Sequence, residues 1–323
     1  MNIAVSPYHL TTREPPAMAA LALARRVVTV LPGTSTGEDT ARTLPAFSRF
    51  MKSWTWTVPL WKAGLLTTDL DGRSPEHDIW DATRSIERDA AYLPLRHFFH
   101  QHDHDDPRTY LTALANDLMK GGPDPGISLP VAAGLDRFAA RTRCVVARAA
   151  ASSLAQRAEA SLAAPVGSLV VPVFVQASAV RILHYREVLE DQIARFNASI
   201  DRLSHSLDDP KAQPALLRDA QAAAAALTAA FEEARGELFM SAADDDVRPV
   251  EGAVSIAAVS LPSDAVFASS VRAVEHLAPP NSTPTPAAAG TATTTLPALR
   301  DELAGRRLLS LVVRPLGRSS IAK

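Results

Sequence analysis

Several short stretches of the chain combine residue types at spacings that chemistry could use. In "SPYHLTTRE", residues 6–14, a short apolar run gives way to Tyr8, His9, Thr12, Arg13 and Glu14. An imidazole there can act as a general acid or base, because its ordinary pKa lies near neutrality. Either Glu14 or Asp264 is available to orient it. Thr12 reads as the cap of the next helix, whose free N–H groups and dipole favour an anion, with the Arg13 guanidinium as a charged fork. "PGTSTGE", residues 32–38, follows the second apolar run and offers backbone N–H groups around Ser35 to a phosphate or carboxylate. Arg148, Gln176, Ser178, Ser260, Ser263 and Asp264 follow or end later apolar runs. They join His9 only if all those strands finish on one edge. The simpler reading makes Thr12, Ser263 and Asp264 helix caps.

Two other stretches carry a chemical alternative. "HFFHQHDHDD", residues 97–106, puts His97, His100 and His104 on one face if helical, and three imidazoles with a water make a catalytic type of zinc site. The simpler reading is a polar junction before Pro107. "KGGPDPGISLP", residues 120–130, reads as a hinge with Gly121 as a helix stop, Ser128 as a cap and Pro130 in the next first turn. Lys120 and Asp124 are left over, and could clamp an anion. Trp54 and Trp61 lie on a helical apolar stripe with Phe47, Phe50, Met51 and Val58, which favours core packing over stacking on a ligand.

The composition narrows the classes. The chain has 323 residues, 47% of them hydrophobic and 21% charged, with a net charge of −2. That balance gives no long-range attraction to nucleic acid or to an anionic membrane. The uncharged stretch 160–180 is interrupted by Pro165, Gly167 and Pro172 and reads as a strand with loops rather than a membrane span. A single cysteine, Cys144, and charges at Arg13 and Glu14 ahead of the first long apolar stretch lead to the expectation of a reducing cytoplasm. No motif names a cofactor.

Apolar runs at 2–5, 27–31, 144–147, 169–175, 253–259 and 308–313, separated mainly by helical patterns, predict an α/β fold. The expected sheet is open and largely parallel, of about six strands with helices on its faces. The organisation expected is a first strand-helix-strand unit over 1–37, a helical insertion over 38–126, the α/β body again over 127–178, a helical hairpin over 179–240 and the body completed over 241–323. Within the last part, 278–297 reads as a flexible linker.

The hairpin has the strongest pattern. Leu189, Ile193, Phe196, Ile200, Leu203 and Leu207 form one seam, and Leu217, Ala220, Ala224, Leu227, Phe231, Ala234 and Leu238 the other. With Arg186, Glu190, Asp191, Arg195, Asp201 and Arg202 outside the first seam, the hairpin is expected to project, with its tip near Pro210 exposed. The leading functional expectation is the binding of a small anionic ligand at the strand ends near His9, with its chemical conversion there as an extension of that role. A scaffold acting through the hairpin, by self-association or a protein partner, and a metal-dependent hydrolase using the histidine cluster are the alternatives.

Overall fold

The computed structural model describes residues 1–31, 45–88, 107–120, 124–149, 164–174, 177–239, 249–261 and 306–315. The chain opens with β1 (Asn2–Val5), α1 (Pro7–Thr11), α2 (Pro15–Leu23) and β2 (Arg26–Val28). Then follow α3 (Pro45–Ser53), a 3₁₀ turn (Thr55–Thr57), α4 (Val58–Lys62), β3 (Leu66–Thr67), α5 (Pro75–Arg88), α6 (Pro107–Lys120) and α7 (Pro125–Thr142). The remainder is β4 (Val145–Ala149), β5 (Ala164–Phe174), α8 (Ala179–Val188), α9 (Glu190–His205), α10 (Gln213–Phe239), β6 (Pro249–Leu261) and β7 (Arg306–Pro315).

The strands form one sheet in the order β3-β2-β1-β4-β7-β6-β5. The first five in that order are mutually parallel, and β6 pairs antiparallel with both β7 and β5. The expected parallel sheet is therefore present as a five-strand block, extended by two long strands to seven. β3 has two residues, Leu66 and Thr67, too few to leave an alternation pattern. It lies inside the segment expected to be wholly helical.

The chain enters the helical hairpin from the carboxyl end of β5 and comes back to the same edge, so β6 has to run the opposite way. That reversal puts the carboxyl end of β6 at Leu261, beside the start of β7 at Arg306. All five residues of β4 are buried, and α2 and α7 both pack against it. Its neighbours α2 and α7 sit on opposite faces, as right-handed crossovers to the two sides of β1 require.

The hairpin lies along the body, contrary to the expectation that it projects. The outer face of α2 is the reason: every residue from Pro16 to Leu23 is buried, and a helix apolar all round must be covered on every side. Helices α8 and α9 supply that cover. The Arg186 guanidinium, expected to face water, donates to the terminal carbonyls of α2 at Leu21 (3.2 Å) and Ala22 (3.1 Å). Leu189 breaks the first arm into α8 and α9. On the return, α10 closes the free edge of β5: Thr228 Oγ1 donates to the Val170 carbonyl and Gln221 Nε2 to the Ser168 carbonyl, both at 3.3 Å. An uncovered strand edge would invite pairing with another chain. Both seams are buried in the main core with β5 and α2, while Pro210 at the tip is exposed as expected.

Local chemistry also corrects three boundaries. The helix expected from Pro130 starts at Pro125, because Asp124 takes the N-cap position and accepts the Gly126 N–H at 2.9 Å. Pro130 then lies inside it, as does Ser128, whose buried hydroxyl has no hydrogen-bond partner among the described residues. The stripe from Phe47 to Trp61, expected to kink or split at Pro59, is split into α3, a 3₁₀ turn and α4, with Pro59 in the first turn of α4.

Candidate functional site

The carboxyl ends of β1, β2, β3, β4 and β7 share one edge, since these strands are parallel. Open α/β sheets bind ligands beyond that edge. Directly after β1 the chain makes two short helical segments joined by a tight turn. Arg13 sits in the turn at φ +53°, a left-handed conformation uncommon for a residue with a side chain. The turn folds Glu14 back, so its Oε2 lies 2.8 Å from Nδ1 of His9 and its Oε1 accepts the Thr12 hydroxyl at 2.9 Å. His9 and Glu14 thus form an imidazole–carboxylate pair of the kind that orients a general acid or base. His9 is only 2% exposed.

The helix start expected to cradle an anion is built differently. Glu14, not Thr12, is the N-cap of α2, and Pro15 and Pro16 follow it. Two prolines remove two of the N–H donors that such a site needs, and the cap itself carries a carboxylate. Thr12 Oγ1 instead donates back to the Tyr8 carbonyl at 3.0 Å. The Arg13 guanidinium lies over the Trp56 ring, 4.6 Å from its centroid.

Tyr8 and the glycine–proline stretch meet in a second buried cluster. The Tyr8 hydroxyl donates to Asp117 Oδ2, and the Asp124 N–H donates to the same oxygen at 2.9 Å. Asp117 is buried, and desolvation pushes its carboxyl above the usual aspartate range, against the opposing pull of the Tyr8 and Asp124 hydrogen bonds. Asp124 is therefore committed as a helix cap, and Lys120 ends α6 exposed to solvent. The described residues of this stretch end α6 and cap α7.

Other candidates divide plainly. Arg148 does not open on a crevice: it is buried, pairs with Asp136 and donates from Nε to Ser310 Oγ at 2.8 Å. Ser178 caps α8 through the Arg181 N–H at 3.3 Å. Ser260 lies in β6, which ends at the edge opposite His9. Ser35, His97, His100, His104, Gln176, Ser263 and Asp264 lie outside the described residues. Among the described residues no group of three or more His, Cys, Asp or Glu is placed to hold a metal ion, and no helix is long and apolar enough to cross a membrane. Cys144 is buried, and its thiol is pushed up to about 11 by desolvation, which leaves it unreactive at neutral pH.

Beyond β2 lies a cavity of about 420 Å³, whose described lining is Leu31, Ser48, Met51, Lys52, Trp54, Thr55, Thr57, Val58 and Trp61. Its volume falls in the range of roughly 300–1,000 Å³ typical of small-molecule sites. One wall is a face of α3 on which Ser48, Met51 and Lys52 recur at three- and four-residue spacing, continued by Thr55 at the start of the 3₁₀ turn. Phe50 turns the other way into the core, its ring centroid 4.7 Å from that of Trp54, which is itself buried behind the cavity wall it helps to form. Trp54 Nε1 donates to Thr11 Oγ1 at 2.9 Å, which ties this wall to α1 and the His9 turn. Core packing, favoured from the sequence, holds for Trp54, while Trp54 and Trp61 also wall the cavity, where the alternative of stacking on a ligand stays open. The signal not used was Ser48 and Lys52, two polar residues four apart on the flank of that apolar stripe. No protein family, curated protein or solved structure matches the chain.

Proposed function

We propose that the protein binds a small anionic molecule in the cavity beyond the carboxyl end of β2. The observation that carries this reading is the cavity itself: about 420 Å³, at the edge where parallel sheets place ligands, with Lys52 as the charged residue of its described lining. Apolar and aromatic side chains supply buried contact, and one cation sets the sign of the ligand. His9 is not part of the described lining and is buried against Glu14, so binding is better supported than turnover. The His9–Glu14 pair, reached from the cavity wall through Thr11, is where acid–base chemistry would reside if the bound state uncovers it.

A thermal-shift screen of organic anions against the full chain and its Lys52→Ala variant tests the reading. A ligand at a hundred times its Kd stabilises the folded state by about 2.7 kcal/mol, a readily measured rise in Tm. The expected outcome is a set of anions that raise the Tm of the wild type and raise that of Lys52→Ala less. A library that leaves the wild type unmoved, or shifts both proteins equally, contradicts it.

A further inference from the structure

The polar groups of the cavity lining divide into those already used and those left over. Trp54 Nε1 donates to Thr11 Oγ1, and Trp61 Nε1 donates to Thr57 Oγ1, each at 2.9 Å. The Thr57 hydroxyl in turn donates to the Trp54 carbonyl at 2.6 Å, and the Thr55 hydroxyl to the Lys52 carbonyl at 2.9 Å. Four of the lining side chains therefore have their polar hydrogens committed within the protein. A ligand hydroxyl or amide buried among them would find few partners and would lose its bonds to water. Apart from Ser48 and Lys52, what remains of the described lining is Leu31, Met51, Val58 and the tryptophan rings, all apolar.

The uncommitted polar groups lie together. Ser48 and Lys52 are four residues apart on α3, hence on one face, and both are solvent-exposed. None of the described carboxylates is paired with Lys52. Met51 and Val58, at 38% and 43% exposure, are two of the large apolar side chains that the described surface leaves in water, and both belong to this cavity.

We infer that the ligand is an amphipathic organic acid: a hydrocarbon body free of hydrogen-bonding groups, seated against Met51, Val58 and the Trp54 and Trp61 rings, with its anionic head at Ser48 and Lys52. This inference rests on the binding reading above and specifies the ligand class for the same site. Size permits it. A cavity of about 150 Å³ holds benzene, so 420 Å³ accommodates an eight-carbon chain with room to spare.

Tryptophan fluorescence of the full chain, titrated with octanoate, octanol and glucose 6-phosphate, tests it, because Trp54 and Trp61 line the cavity. The expected result is a saturable change with octanoate, weaker by about two- to fivefold in Lys52→Ala, as the loss of one exposed charge pair implies. Octanol should bind the wild type more weakly than octanoate, and Lys52→Ala should not alter its affinity. Glucose 6-phosphate should leave the signal unchanged. Tighter binding of glucose 6-phosphate than of octanoate would overturn the amphipathic ligand while leaving the anion reading intact. Octanol binding as tightly as octanoate would overturn the anionic head and that reading with it. No response to any of the three overturns the inference, and the anion screen then decides the reading on its own. An equal Tm for Lys52→Ala and wild type without ligand shows that the variant is folded.

Discussion

Asp117 holds its carboxylate out of water and satisfies it with the Tyr8 hydroxyl and the Asp124 amide, which joins α1, α6 and the start of α7 at one buried point. Its pKa is raised chiefly by desolvation. The sign follows from linkage: a group that binds its proton more tightly when folded contributes stability fully present below the ordinary aspartate value of about 3.9, and lost as pH rises through the higher folded value. Asp117→Asn carries no such charge. The variant's Tm relative to wild type should therefore become more favourable as pH is raised from about 4 to 7. A difference that stays constant across that window would contradict the assignment of the shift to a buried, ionising Asp117. At this scale the sequence was partly legible. Glu14 as the orienting carboxylate for His9 could be read from proximity in the chain. Thr12 was the expected cap because its residue type is preferred there; Glu14 takes the position instead, which puts Pro15 at the first helical position that proline favours.

At the scale of elements, helix contacts depend on single positions. Gly134 in α7 lies where α5 approaches so closely that an added Cβ would come within 2.3 Å of the Ile79 Cα, a backbone atom that cannot swing aside. Gly134→Ala should therefore destabilise the protein by at least the 1–3 kcal/mol typical of overpacking, despite alanine's higher helix propensity, roughly 1 kcal/mol in its favour. Urea denaturation would measure it, and an unchanged or raised midpoint would contradict the close packing. Gly167 in β5 makes an instructive contrast. A Cβ there would meet the Leu217 methyl groups at 2.6 Å, and these are the ends of a flexible side chain. Gly167→Ala should cost less than Gly134→Ala.

The hairpin was legible as two seams at helical spacing, but its placement was not read correctly. The missing step was available in the sequence: residues 16–24 contain no polar side chain, so α2 needs cover on its outer face as well as on the sheet. Phe196 in α9 is fully buried in the main core. Phe196→Ala should cost about 3–5 kcal/mol of global stability, as core phenylalanines do. A loss confined to a separate low-temperature transition would show instead that the hairpin folds apart from the sheet.

For the molecule as a whole, an out-and-back helical pair inserted after β5 returns the chain to the edge it left. That geometry gives β6 its antiparallel direction and joins the parallel block to two long strands in one sheet. Alternation of strands and helices made the α/β class and the parallel block legible in advance. The two-residue β3 and the reversal at β6 were not, since one is too short for periodicity and the other depends on how the hairpin docks. The same global geometry separates the strand ends. The five parallel strands bring the His9 turn and the cavity beyond β2 to one edge, while β6 carries Ser260 towards the other. We propose that this shared edge binds a ligand in the cavity beside Trp54 and Trp61. Isothermal titration calorimetry of octanoate into the full chain and into Val58→Trp tests it most directly, since a larger side chain at Val58 plugs the cavity without entering the core. Binding at one site, with a negative heat-capacity change from apolar burial, is expected for the wild type and should be abolished in Val58→Trp at an unchanged Tm. Octanoate binding of equal affinity in the plugged variant would contradict the account.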